Sequence, residues 1–74
     1  KIKYISPEEL AEAMYRVLSK HYGMTRDSLC SQTAKAYSFN RMTGPVASAM
    51  DKSFELLLWQ KRIAVVDGKV RVLK

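Results

Sequence analysis

The chain carries one histidine and one cysteine, and neither has a partner at a spacing that makes a catalytic or metal site. His21 has no Cys, His or Glu close by in sequence. Its place near a helix C-terminus suits a cationic imidazole on dipole grounds. Cys30 falls on the inward side of a helical stripe and reads as a small core residue. A single cysteine excludes an internal disulfide, and a structural zinc site lacks its ligands. Thr43-Gly44-Pro45 is too short for a phosphate-cradling loop, and Pro45 removes an amide donor that such a loop would use. No two carboxylates are spaced for shared acid–base work. The sequence therefore reads as non-catalytic by itself, with no cofactor and no metal.

The other chemistry on offer is charge. Thirteen Lys and Arg against seven Asp and Glu give a net +6 over 74 residues. Lys1 and Lys3 stand at the start. Lys61, Arg62, Lys69, Arg71 and Lys74 crowd the last fourteen residues, opposed there only by Asp67. Such an imbalance attracts polyanions or acidic protein surfaces. A small soluble domain also needs net charge, and composition alone favours neither reading. The length allows one domain, residues 1–74, which reads as a segment of a longer protein. No apolar run approaches the roughly 20 residues that span a bilayer, and no signal peptide is evident, so a cytoplasmic setting is expected.

The elements that must position these charges run helix, helix, helix, hairpin. Ser6-Pro7-Glu8-Glu9 is a strong helix start, with Ser6 as cap and Pro7 in the first turn. Leu10, Met14 and Val17 recur at helical spacing, flanked by Ala13 and Leu18, with His21 on the same stripe and Gly23 as the stop. Thr25 caps a second helix near Arg26–Tyr37, with Leu29, Cys30, Thr33, Ala34 and Tyr37 inward. Residues 38–42 form a polar connection anchored by Phe39 and Met42. Thr43 caps a third helix with Pro45 in its first turn. Its inward side is Val46, Met50, Ser53, Phe54 and Leu57, with Ala49 beside them. The methionines at 14, 24, 42 and 50 read as gap-filling core or near-core residues.

Beyond Arg62 the period changes. Asp67-Gly68 suits a two-residue type I′ turn between β-branched runs. That turn pairs Val66 with Lys69, Val65 with Val70, Ala64 with Arg71 and Ile63 with Val72. One face is then wholly apolar (Ile63, Val65, Val70, Val72). The other carries Ala64, Val66, Lys69 and Arg71, with Arg62 beyond. A slip of one residue would mix the faces. A lone hairpin is marginal in water, so the apolar face must lie on the helices. Met24–Thr25, or the N-terminal Ile2–Ile5, could add a short third strand. The expected fold is α+β, mainly α: a winged helix-turn-helix, three helices followed by a β-hairpin wing.

That fold points to nucleic acid. The candidate contacts are Asn40 and Arg41 before the third helix, Ser48 and Lys52 on its outer face, and Arg62, Lys69 and Arg71 on the wing. The same outer face carries Asp51, Glu55 and Trp59, two acids and a large aromatic that suit a protein interface better than a phosphate track. Leu58 could join them. Alternatively Trp59 is covered by the N-terminal segment through Ile2 or Tyr4.

Ile5-Ser6-Pro7-Glu8-Glu9-Leu10-Ala11-Glu12-Ala13-Met14, Tyr22-Gly23-Met24, Ala36-Tyr37-Ser38-Phe39-Asn40-Arg41, Leu57-Leu58 and Lys61-Arg62-Ile63 together resemble a domain of unknown function. It occurs towards the C-terminus of large bacterial proteins related to superfamily-one helicases, often beside a nuclease-like domain. The family pattern often has glycine where Ser38 stands. The resemblance implies a parent that is an ATP-dependent helicase or translocase acting on nucleic acid, whose ATP-site and nuclease motifs are absent here.

Two functions are expected from the whole. One is a helicase-associated accessory module that holds nucleic acid, above all duplex DNA, weakly and without sequence preference. The other is a module that docks on protein, either other domains of the parent or a second copy, through the outer face of the third helix.

Overall fold

The computed structural model describes residues 4–21, 23–39 and 41–73. Among them lie helices α1 (Pro7–Ser19), α2 (Arg26–Ala36) and α3 (Gly44–Trp59), then strands β1 (Ile63–Val66) and β2 (Lys69–Val72) paired antiparallel. The result is a small α+β domain, mainly helical. No helix among the described residues is long and apolar enough to cross a membrane.

Each helix begins as its sequence dictates. The Ser6, Thr25 and Thr43 hydroxyls accept from the backbone N–H three residues on, at Glu9, Ser28 and Val46. Each bond satisfies one donor that the first turn leaves orphaned. Pro7 and Pro45 sit in first turns, where their missing N–H costs nothing.

Two helices end in a Schellman cap. After α2, Ser38 N–H donates to Lys35 C=O and Phe39 N–H to Ala34 C=O. After α3, Lys61 N–H donates to Leu58 C=O and Arg62 N–H to Leu57 C=O. This geometry needs a left-handed residue, and Ser38 (φ 62°) and Lys61 (φ 59°) supply it without being glycine. α1 stops at Ser19, four residues short of Gly23, the expected stop. His21 lies past that end and is exposed, not on the buried stripe. Its Nδ1 bonds Val17 C=O at 2.9 Å.

The core gathers Leu10, Met14 and Leu18 of α1, Leu29 of α2 and Met50, Phe54 and Leu57 of α3. The inward faces of α2 and α3 are those the 3.6-residue period predicts. α1 is rotated slightly from expectation: Ala11 and Leu18 are buried, whereas Ala13 and Val17 are half-buried. Buried polar groups are satisfied at home, Thr33 Oγ1 donating to Leu29 C=O and Ser53 Oγ to Ala49 C=O.

The hairpin has the predicted register, Ile63 to Val72 through Val66 to Lys69. Asp67 (φ 53°) and Gly68 (φ 77°) both take the left-handed conformation that a type I′ turn requires. Met24 forms an antiparallel bridge with Val70, whose N–H donates to Met24 C=O at 2.6 Å. The link between α1 and α2 thus supplies the third pairing partner. The other option, residues 2–5, falls partly outside the described residues.

Ile63 and Val70 are fully buried, and Val72 packs on the core cluster. Val65 corrects the expectation, being 51% exposed. The Met24 bridge is on β2, so among the described residues β1 is the outer edge, and Val65 stands on it nearer the turn than the buried Ile63. Met42 is also more exposed than a near-core residue would be, at 44%.

Relieving the two left-handed side chains should stabilise the fold. Ser38→Gly and Lys61→Gly are each expected to raise unfolding free energy in urea melts by up to about 1 kcal/mol, the scale of the left-handed penalty. Alanine at either position should give no gain.

Candidate nucleic-acid interface

The cations of the chain divide into those held by neighbouring carboxylates and those left open to solvent. Arg62 is held. Its guanidinium bonds the Glu12 carboxylate and lies over the Tyr15 ring, 4.0 Å from the centroid. Glu12 and Tyr15 are three residues apart and so share a face of α1, while the Schellman cap of α3 turns Arg62 towards them. The pair ties the base of the hairpin to α1. Hydrogen bonding from Arg62 holds the Glu12 carboxyl below its ordinary 4.5, and the same bond raises Arg62. Arg62 was expected on the wing as an outward contact; its charge is instead matched within the fold. Sequence reasoning missed Glu12 because fifty positions separate the partners and no local spacing signals the pair.

Arg26 is held as well. It bonds Asp51 at 3.2 Å, approaches Glu55 at 3.7 Å and lies 4.2 Å over the Phe54 ring centroid. The two acids of the α3 outer face thus turn towards the first turn of α2. One cation shared by two carboxylates leaves this trio with a net negative charge. Lys52 and Ser48 lie apart from it, beside Ile5 and Pro7 at the start of α1.

Lys69 and Arg71 are different. Both are exposed on the solvent side of the hairpin, and neither forms an ion pair among the described residues. Arg41 is exposed before α3, while Asn40 lies outside the described residues. The structure thus brings Lys69 and Arg71 together, places Ser48 and Lys52 on another face, and leaves Arg62 engaged at the hairpin base.

Two connected depressions run along the hairpin's solvent side. The larger, about 620 Å³, is walled by Tyr15 and Ser19 of α1 and by His21 just past its end, and reaches Arg71. The smaller lies between Gly23 and Lys69 and shares Val66 and Arg71 with the first. The contribution of α1 to this groove had no sequence signal beyond the position of His21 at a helix end.

Trp59 is 79% exposed and Tyr4, the described member of the expected cover, is 75% exposed, while Ile2 lies outside the described residues. Leu58 is half-buried against the core and does not join Trp59 on the outward strip. Cys30 is buried in the cleft between α2 and α3, and burial raises its thiol pKa. It lies apart from His21. No family model matches this chain, and neither does any curated protein or solved structure.

The latch gives a pH signature with a definite sign. A carboxylate depressed in the folded state adds stability above its ordinary pKa, and that stability fades as pH falls through the depressed value. Glu12→Gln should lower Tm at pH 7, and its deficit against the parent chain should shrink as pH drops below 4.5. Thermal melts across pH 7 to 3 measure this; a deficit that stays constant would contradict the assignment.

Proposed function

We propose that this chain is a winged helix-turn-helix module that holds nucleic acid by its backbone, led by the hairpin. The element order supports the wing: a helix, a one-residue strand at Met24, two helices and a hairpin whose second strand pairs with Met24. The observation that carries the function is the pair of unmatched cations, Lys69 and Arg71, side by side on the hairpin's solvent face. A phosphate backbone is bound chiefly by such cations, through release of its counterions. α3 offers Lys52 on one side and a net-negative trio of Arg26, Asp51 and Glu55 on another, so it is the poorer phosphate track. The resemblance to a domain of helicase-related proteins fits an accessory, non-catalytic role, in which the parent acts on nucleic acid and this module steadies it.

Fluorescence anisotropy with labelled oligonucleotides over a salt series tests the reading. Binding should be weak, independent of sequence and steeply salt-dependent. Lys69→Glu with Arg71→Glu should lose at least tenfold in affinity and flatten the slope of log K against log salt by about two. Lys52→Glu should lose much less. Absence of any affinity for DNA or RNA at low salt would refute the reading, as would a double variant that binds like its parent.

A second reading has its own observation. Trp59 is a large, exposed aromatic one turn from Glu55, an arrangement that suits docking onto protein, whether another domain of the parent or a second copy. Trp59→Ala should change stability by less than about 0.5 kcal/mol and leave oligonucleotide binding intact. Under this reading it should abolish association with the remainder of the parent protein in sedimentation; normal association would count against docking through α3.

A further inference from the structure

We infer that the groove beside the hairpin takes unpaired nucleotides, so that the module prefers single strands or frayed ends over intact duplex. The inference rests on the nucleic-acid reading above and narrows its substrate. A rigid duplex presents phosphates to a cationic surface and needs only exposed Lys and Arg. This groove offers more than that. Its rim carries His21 and Arg71, with Lys69 at the far end. Its lining is mixed: the polar groups are Ser19, His21 and Arg71, the apolar part includes Val66 and Leu73, 46% and 44% exposed, and the ring of Tyr15 on the α1 wall already carries the Arg62 guanidinium on one face.

A groove of about 620 Å³ has room for a base that has left its stack. Sequence-tolerant single-strand binding combines backbone-tracking cations with platforms for the faces of bases, most often aromatic; here the exposed Val66 and Leu73 side chains offer the apolar platform. Charge complementarity selects a polyanion, and the apolar floor selects one whose bases are free to turn inward. The cross-strand pairs Val66–Lys69 and Ala64–Arg71 set cation and apolar side chain opposite each other at each step. The Met24 bridge and the Arg62–Glu12 latch hold the hairpin beside α1, so the groove is preformed.

The test compares an unlabelled oligo-dT with a hairpin duplex of equal phosphate number, each competing for a labelled dT probe at one salt concentration. Oligo-dT should bind at least about fivefold more tightly, the lower end of what one base–side-chain contact contributes. Val66→Ser with Leu73→Ser removes apolar lining at two half-exposed positions and changes no charge. This variant should bring oligo-dT down to the level of the duplex while leaving duplex affinity unchanged.

Equal affinity of the parent chain for both ligands would overturn the inference while leaving the backbone-binding reading standing. So would a double-serine variant that keeps the single-strand preference. Polyglutamate competing as well as oligo-dT would overturn it by showing that charge alone is read. Failure of both nucleic acids to bind would overturn the inference and the broader reading together.

Discussion

Val70 is where three parts of the chain meet. Its backbone joins the hairpin to the α1–α2 link through Met24, and its side chain is fully buried among the helices. A two-stranded ribbon has too little of its own surface to bury to persist in water. Burying Ile63 and Val70 contributes about 1.5–3 kcal/mol each, a large share of what a domain this small has in reserve. The type I′ turn and the strict alternation of the strands leave one register in which both residues reach the core. That register also turns Lys69 and Arg71 to the other side. Stability and the cationic surface therefore have one cause, the two-residue period of the strands.

Charge is then sorted by tertiary contact. Arg62 and Arg26 stand near exposed carboxylates and aromatic rings and are matched by them. Lys69 and Arg71 project from a hairpin whose one acid, Asp67, occupies the turn. This sorting leaves two unmatched cations side by side on the hairpin, and on the α3 outer face an aromatic beside acids. The two proposed uses of the domain therefore occupy different surfaces and can coexist in a longer protein.

Much of the fold was legible because local rules agree with one another. The caps at Ser6, Thr25 and Thr43, the inward faces of α2 and α3, and the hairpin register all follow from periods and turn chemistry within a dozen residues. What failed was tertiary. Val65 obeys the alternation yet is exposed, because strand order leaves it on the outer edge. α1 ends before Gly23, and its buried face turns towards Ala11 and Leu18. The cap after α2 takes Ser38 in a conformation that glycine holds more readily. The candidate site was legible in residue type and less so in arrangement. Lys69 and Arg71 followed from the register, whereas the engagement of Arg62 by Glu12 and the α1 wall of the groove depend on how helices and hairpin pack.

Native-state hydrogen exchange at the Met24 and Val70 amides tests most directly whether the hairpin is an integral part of this fold. Each N–H is bonded to the other residue's carbonyl, across the junction between link and hairpin. Both amides should exchange only as slowly as the core amides of α3 around Phe54, with the same dependence on urea, because the hairpin opens only when the helices do. Fast, urea-independent exchange at both while the α3 core stays protected would contradict the account, showing a ribbon that detaches from a helical trio stable without it.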